Sequence, residues 1–259
     1  MAFAIGLDVG STHIKALLLQ AGAIGHVVAL PNPPTHHSPV GPAYDADTIL
    51  DLLGQAIRNL CRQAHVNPGE IRRLGLCSMV DSYLLLDKDK KPLTPVIPWY
   101  NTAGGALLDR IKQSYDPYEL WYRTGQTLHV KRALPRAMLL RELYPTTYKE
   151  ARYFVSLYAY LLYRISGNLL TDESVACRSM CMDLEQADYM DTVRDDLGSK
   201  LKLPAIHHRG EKLTCRSEEQ LRTWGLCENI DIYPAGHDHI AAYSVALNAF
   251  SNTDNKPAS

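Results

Sequence analysis

The chain has 259 residues, 46% of them hydrophobic, which suits one large domain or two small ones around a sizeable core. Lys and Arg total 27 against 28 Asp and Glu, so no net field draws the protein to nucleic acid or to an anionic membrane. The six cysteines are scattered without a CxxC pair, which argues against a disulfide framework and a structural zinc site and predicts reduced thiols in a cytoplasmic protein.

The apolar start from Ala2 to Leu7 lacks a basic flank and is interrupted by Asp8, so neither a secretory signal nor a membrane span is expected. Residues 3–9, 14–20 and 24–30 are short apolar runs broken at Gly10-Ser11-Thr12 and at Ala21-Gly22, and this spacing predicts three consecutive antiparallel strands. "LPNPPTHHSPVGPAYD" holds five prolines and predicts a surface loop without regular structure, carrying His36 and His37. From Asp45 the residues Ile49, Leu53, Ala56, Ile57, Leu60 and Ala64 recur at helical spacing. Capped by Asp45 or Asp47 and stopped at Asn67-Pro68-Gly69, they predict an amphipathic helix of roughly five turns.

Strands return in "IRRLGLCSMVDSYLLLD", with "DKDKKPL" as a charged hairpin tip leading to "TPVIPWYN". Residues 106–114, 134–143 and 156–165 have helical periodicity, and Gly167 stops the last of them. "IDIYPAG" closes as a strand into "HDHIAAYSVALNAF", a helix, and "SNTDNKPAS" is a polar tail without a packing face. The whole predicts an α/β domain with a mixed central sheet flanked by helices.

Gly10-Ser11-Thr12 fits an ordinary hairpin turn on residue type alone. Asp8 points further: an acid near the end of a buried strand is costly without compensation, which a hydrated Mg²⁺ would supply. Gly10 lets backbone N–H groups approach an anion, and Ser11 and Thr12 add hydroxyls. Lys15 adds a positive charge, although it reads equally well as a solvated hairpin lysine. The Walker pattern GxxxxGK[ST] is absent.

"GLDVGSTHIKALLL" resembles the first phosphate motif of the FGGY carbohydrate kinases, a branch of the actin-like ATPases of ribonuclease-H-like fold. Later segments match in the family's order. "LGLCSMVDSYLLLDKDKKPLTPVIPWYN" resembles the stretch with the substrate-binding turn and its tryptophan, and "WYRTGQTLHVKRALPRAMLLRE" the following TG and helix segment. "LLYRISGNLLTDESVACRSMCMDL" resembles the helix, turn and "TD.S.A" run, and "YPAGHDHIAA" the glycine-then-aspartate segment of the catalytic base. The resemblance spans residues 3 to about 248, and "TGQTLH" and "SMVDS" are most similar to the gluconate-kinase-like branch.

The resemblance implies an N-terminal, sugar-binding actin-like domain over residues 1–248 and a polar tail over 249–259, with the C-terminal actin-like domain absent. It implies ATP and Mg²⁺ as cofactors and a sugar, polyol or sugar acid as acceptor. Asp238 would remove the proton from the attacking hydroxyl, a role compatible with capping the helix that follows. Asp8 would hold Mg²⁺ mostly through water, with Gly10, Ser11, Thr12 and Lys15 about the phosphates. Sugar contacts would come from Met79 and Asp81, from Trp99 and Asn101, and from His129 in the TG segment.

The chain departs from the family where a W-x-D-x-R run is common and Trp99, Tyr100, Asn101, Thr102 and Ala103 stand instead. The first turn reads Met79, Val80, Asp81 where Gln or a His-containing run is common. Losing a charged pair changes which sugar the site can hold. Strand alternation would send His237 and His239 to the side opposite Asp238, so no metal trio is expected there.

Two functions fit: a phosphotransferase domain that acts once its C-terminal half is supplied, or a catalytically silent sugar-binding or regulatory paralogue. Catalysis by this chain alone is not expected, because one side of the ATP cleft is missing. The expected partners are a sugar and the C-terminal domain, and the oligomeric state, homodimer included, stays open.

Overall fold

The computed structural model describes residues 3–253 apart from 21, 199, 209, 214, 216–218 and 228, and of residues 248–253 the backbone alone. Ala21, in the predicted second turn, lies outside the described residues. The predicted meander forms from β1 (Phe3–Val9), β2 (His13–Gln20) and β3 (Ala23–Pro31), each antiparallel to the next. Alternation puts Ile5, Leu7 and Val9 of β1 and Ile14, Ala16 and Leu18 of β2 in the core.

The proline-rich stretch is more regular than its composition predicts. β4 (His36–Ser38) and β5 (Gly41–Ala43) form a short antiparallel ribbon, in which a proline is tolerated because two edge strands leave N–H groups unused. His36 and His37 are exposed on it. α1 (Ala46–Ala64) starts at Asp45, whose carboxylate accepts from the Thr48 N–H at 2.7 Å. Asp47 is left to accept from the Tyr160 hydroxyl and the Arg164 guanidinium. Ile49, Leu53, Ala56, Ile57 and Leu60 of α1 are buried in the same core as the inner faces of β1 and β2.

β6 (Ile71–Ser78) enters parallel to β1, and a four-residue link leads to β7 (Tyr83–Leu86). "TPVIPWYN" contributes only isolated pairings, Val96 with Tyr44 and Ile97 with Tyr83, since Pro95 and Pro98 lack the N–H groups of a continuous ladder. Then come α2 (Leu107–Ser114), α3 (Pro117–Thr124), α4 (Ala133–Leu143), α5 (Pro145–Glu150), β8 (Tyr153–Ser156) and α6 (Leu157–Ser166). β8 pairs antiparallel with β7, and Gly167 ends α6 in the left-handed conformation, as predicted.

After α6 follow β9 (Leu170–Asp172), α7 (Glu173–Ala176), β10 (Met182–Asp183), β11 (Asp188–Tyr189), α8 (Asp191–Leu197), β12 (Ala205–His207) and α9 (Glu219–Thr223). β13 (Asp231–His237) then joins parallel to β6, and α10 (Asp238–Thr253) follows without a gap. α10 runs past the boundary expected at residue 248 and into the predicted tail, whose residues 254–259 lie outside the described residues.

The central sheet has the order β13-β6-β1-β2-β3 and is mixed, as expected. One apolar cluster joins it to α1 and α6; a second lies around β7, β8, α2 and α4. β7 contributes Leu84 and Leu86 to the first cluster and Tyr83 and Leu85 to the second, so the link from β6 to β7 lies where the two clusters meet.

Candidate functional site

Three parallel strands end side by side. Their register sets Asp8 of β1 against Cys77 of β6, and Gly236 and His237 of β13 against Cys77 and Ser78. Ligands of open α/β sheets bind beyond such carboxyl ends. A cleft of about 200 Å³ opens there, lined by Ser11, Met79, Val80, Asp81, Trp99, Lys131, Arg178, His237, Asp238 and His239. Hollows of about 740 and 500 Å³ lie elsewhere, around Leu201–Ile206 and around Tyr115 and Met190, and contain none of the predicted site residues.

The Gly10–Thr12 turn is tight: the Gly10 N–H donates to the His13 carbonyl at 3.1 Å, and a Cβ on Gly10 would lie 3.2 Å from that oxygen. Asn32 braces it, its amide donating to the Gly10 carbonyl at 2.8 Å and its N–H to Thr12 O at 2.9 Å. Tyr44 donates to Ser11 O at 3.4 Å and accepts from Tyr100 at 2.7 Å, tying the turn to the Trp99 segment. Thr12 is exposed, its hydroxyl 3.2 Å from His13 Nδ1.

Asp8 is not the buried acid that the sequence predicts. Its side chain is 31% exposed and pairs with Lys15 at 3.3 Å, directly across the β1–β2 register, so neighbouring cross-strand charges compensate each other. The pair is exposed enough to open at small cost. Cys77 donates to the other Asp8 oxygen at 3.8 Å; burial and then the charges of Asp8 and Asp238 push its thiol up to about 12, so it stays protonated and inert.

Asp238 opens α10, and its carboxylate accepts from the His239 N–H at 2.8 Å. The chain reverses here from strand to helix, which overturns the alternation argument. His237 Nε2 lies 3.2 Å from Asp238 Oδ1, the two imidazoles stack at 5.0 Å, and donor atoms of all three residues lie within 4.8 Å of one another. Burial lowers the His237 pKa, against the opposing pull of Asp238. The trio is rich in nitrogen donors and therefore unsuited to Mg²⁺, which takes oxygen ligands.

β13 is seated by a close approach. Gly236 has φ +69°, and a Cβ there would lie 1.9 Å from Asp172 Oδ2 and 2.4 Å from Ser174 Oγ. The Gly236 N–H donates to the Tyr158 hydroxyl at 3.2 Å and the His237 N–H to Ser174 at 2.9 Å. The "TD.S.A" run therefore holds the segment that leads into Asp238, with Asp172 capping α7 through the Val175 N–H at 3.0 Å.

Asp81 is 2% exposed at φ +59° and surrounded by cations. Arg132 donates to both its oxygens, at 3.3 and 3.1 Å, Arg178 donates at 3.0 Å, and Lys131 Nζ lies at 3.9 Å. Sequence reading missed this basic trio, although the Lys131-Arg132 doublet directly after the TG segment was a visible signal.

Trp99, 40% exposed, forms the apolar wall, with the Lys131 ammonium 5.8 Å from its ring centroid. Asn101 does not line the cleft. Its amide donates to Val40 O at 2.7 Å and Pro42 O at 3.3 Å, and its oxygen accepts from the Ala103 N–H at 2.8 Å. The fully buried Arg136 donates to Asn101 and to the carbonyls of Pro98 and Ala103, so a guanidinium reaches this turn from α4. His129 is exposed outside the cleft lining, and burial followed by the charge of Lys131 lowers its pKa.

Fold and cleft together define a domain of the actin-like ATPase fold with a cleft open at its strand ends. Residues 3–244 match the N-terminal domain of the FGGY family of carbohydrate kinases, and the chain belongs to that family. Among curated relatives it is 22% identical to a xylulose kinase of Staphylococcus xylosus over 91% of this chain and 49% of that one. It is 25% identical to an Escherichia coli L-fuculokinase over 90% and 50%.

Among solved structures, a gluconate kinase from Lactobacillus acidophilus superposes with a TM-score of 0.82 at 21% identity over 92% of this chain and 48% of that one. A xylulose kinase from Rhodospirillum rubrum gives 0.86 at 20%, over 94% and 50%. The chain spans about half the length of the curated relatives it matches. No helix among the described residues is long and apolar enough to cross a membrane.

Proposed function

We propose that this chain is the acceptor-binding half of an ATP-dependent carbohydrate kinase, with the reacting hydroxyl held in the cleft beside Asp238. The observation that carries the reading is the convergence of Ser11, Met79, Asp81, Trp99 and Asp238, drawn from four separate segments, on one cleft at the strand ends. Asp238 orients the acceptor hydroxyl and takes its proton as the oxygen attacks phosphorus. Trp99 packs against the C–H face of the carbohydrate while polar groups fix its hydroxyls. Met79 and Asp81 stay in the proposed contact set, whereas Asn101 and His129 leave it, their places being outside the lining.

The residues present fit a metal–nucleotide. A turn in which a Cβ would crowd the His13 carbonyl, braced by Asn32 and facing the cleft through Ser11, suits a phosphate, with Gly10, Ser11 and Thr12 against it. The partly exposed Asp8 carboxylate is a hard donor suited to Mg²⁺ held through water, and Lys15 can leave it for a phosphate oxygen. When bound, Mg²⁺–ATP supplies the phosphoryl group and offsets its charge.

A C-terminal domain would complete the site and exclude water. α10 supports this, since Ile240, Tyr243, Val245 and Leu247 are all exposed on it. Relatives named as xylulose, glycerol and gluconate kinases and an L-fuculokinase make sugars, polyols and sugar acids the acceptors to try. Mixing this chain with a separately produced C-terminal FGGY domain and following ADP release over such a panel tests the reading. Release with at least one acceptor, falling about a hundredfold or more in Asp238→Asn, is expected; release with none, or release unaffected by that substitution, contradicts it.

A further inference from the structure

The cleft holds more positive charge than its own carboxylates match. Its lining contributes Asp81 and Asp238 against Lys131 and Arg178, and Arg132 stands behind them, 5% exposed. Asp238 reaches His237 and the His239 N–H, while Arg132 donates to both oxygens of Asp81 and Arg178 to one of them. One buried carboxylate paired with one buried guanidinium is complete, which leaves Arg178 and Lys131 beside it with only Asp238 to balance one of them.

Both Arg178 and Lys131 keep binding capacity. Arg178 spends Nη2 on Asp81 and Nη1 on Gln126, and its buried Nε has no hydrogen-bond partner among the described residues. Lys131 is too far from Asp81, at 3.9 Å, for a good hydrogen bond, and its ammonium stands over Trp99, where a carbohydrate would stack. Burial and the two arginines lower the Lys131 pKa, against the pull of Asp81, so an added anion would relieve that strain. A neutral polyol would leave one of these cations unmatched.

From this placement we propose that the cleft selects a carbohydrate bearing an oxyanion, a carboxylate or a phosphate monoester, held by Lys131 and Arg178 while a hydroxyl farther along the same molecule meets Asp238. The inference rests on the cleft being the acceptor site.

Calorimetric titration of the 259-residue chain with five- and six-carbon aldonates, the alditols of equal length and the end-phosphorylated alditols tests it. A charge-assisted hydrogen bond predicts that a charged member binds about tenfold or more tighter than its neutral counterpart. Lys131→Met should remove most of that preference with the melting curve retained, and Lys131→Arg should restore it. Whether the aldonate or the phosphate binds tighter identifies the oxyanion. Neutral alditols binding as tightly as the charged members, or Lys131→Met keeping the full preference, overturns the proposal and leaves the carbohydrate reading standing. Binding by no member of the panel overturns both.

Discussion

Gly236→Ala is the sharpest perturbation of the scaffold beneath Asp238. The added methyl would sit 1.9 Å from Asp172 Oδ2 and 2.4 Å from Ser174 Oγ, at a φ of +69°. Neither neighbour is free to withdraw. Asp172 is buried and caps α7, and Ser174 donates to Asp172 at 2.7 Å while accepting from the His237 N–H at 2.9 Å. The left-handed conformation costs a non-glycine residue about 1–2 kcal/mol, the displaced cap about 1 kcal/mol and the lost backbone bond about 1 kcal/mol.

The expected loss is therefore about 3–4 kcal/mol in urea unfolding followed by circular dichroism. Gly75→Ala is the control: it lies in β6 with nothing within 4 Å of the added atom, and should cost less than about 1 kcal/mol. A Gly236→Ala chain as stable as the Gly75→Ala chain would refute the claim that close contact with the "TD.S.A" turn seats the strand end before Asp238.

Asp81→Asn leaves Arg132 buried without its counter-charge, and urea unfolding should show a loss of about 3–5 kcal/mol; a loss below about 1 kcal/mol would mean that the ion cluster is not structural. His237 gives a pH dependence with a fixed sign. Burial holds its folded pKa below the ordinary 6.5, so the unfolded chain binds the proton first. That stability is present above about pH 6.5 and is lost as pH falls toward the folded value. Melting temperatures from pH 8 to pH 5 should decline less steeply in His237→Gln than in the unsubstituted chain.

Much of the fold was legible because its signals are local. Apolar alternation defined β1 to β3, the period of α1 and its Asp45 cap agree, and "IDIYPAG" turns into α10 where the sequence places it. The β4–β5 ribbon was hidden because proline statistics describe average strands, whereas a two-stranded edge asks little of its N–H groups. The motif residues Ser11, Met79, Asp81, Trp99 and Asp238, far apart in sequence, meet in one cleft.

What failed depends on where strands end and on contacts that the local pattern does not show. Asp8 was expected to be buried, but the strand end is open and Lys15 faces it. Asn101 is claimed by carbonyls of the β4–β5 segment, some sixty residues away. The basic trio about Asp81 draws on two separate segments, and the nearness of His237 and His239 depends on the strand ending one residue earlier than alternation assumes.

Methionine methyl NMR gives a direct test of carbohydrate binding in the cleft at the strand ends. Met79 lines that cleft, while Met190 lines the larger hollow of about 500 Å³ near Tyr115. Titration of the methyl-labelled chain with the aldonate, alditol and phosphorylated-alditol panel should move the Met79 resonance and leave that of Met190 in place. A Met79 resonance that stays fixed through the whole panel, or a shift confined to Met190, would contradict the account.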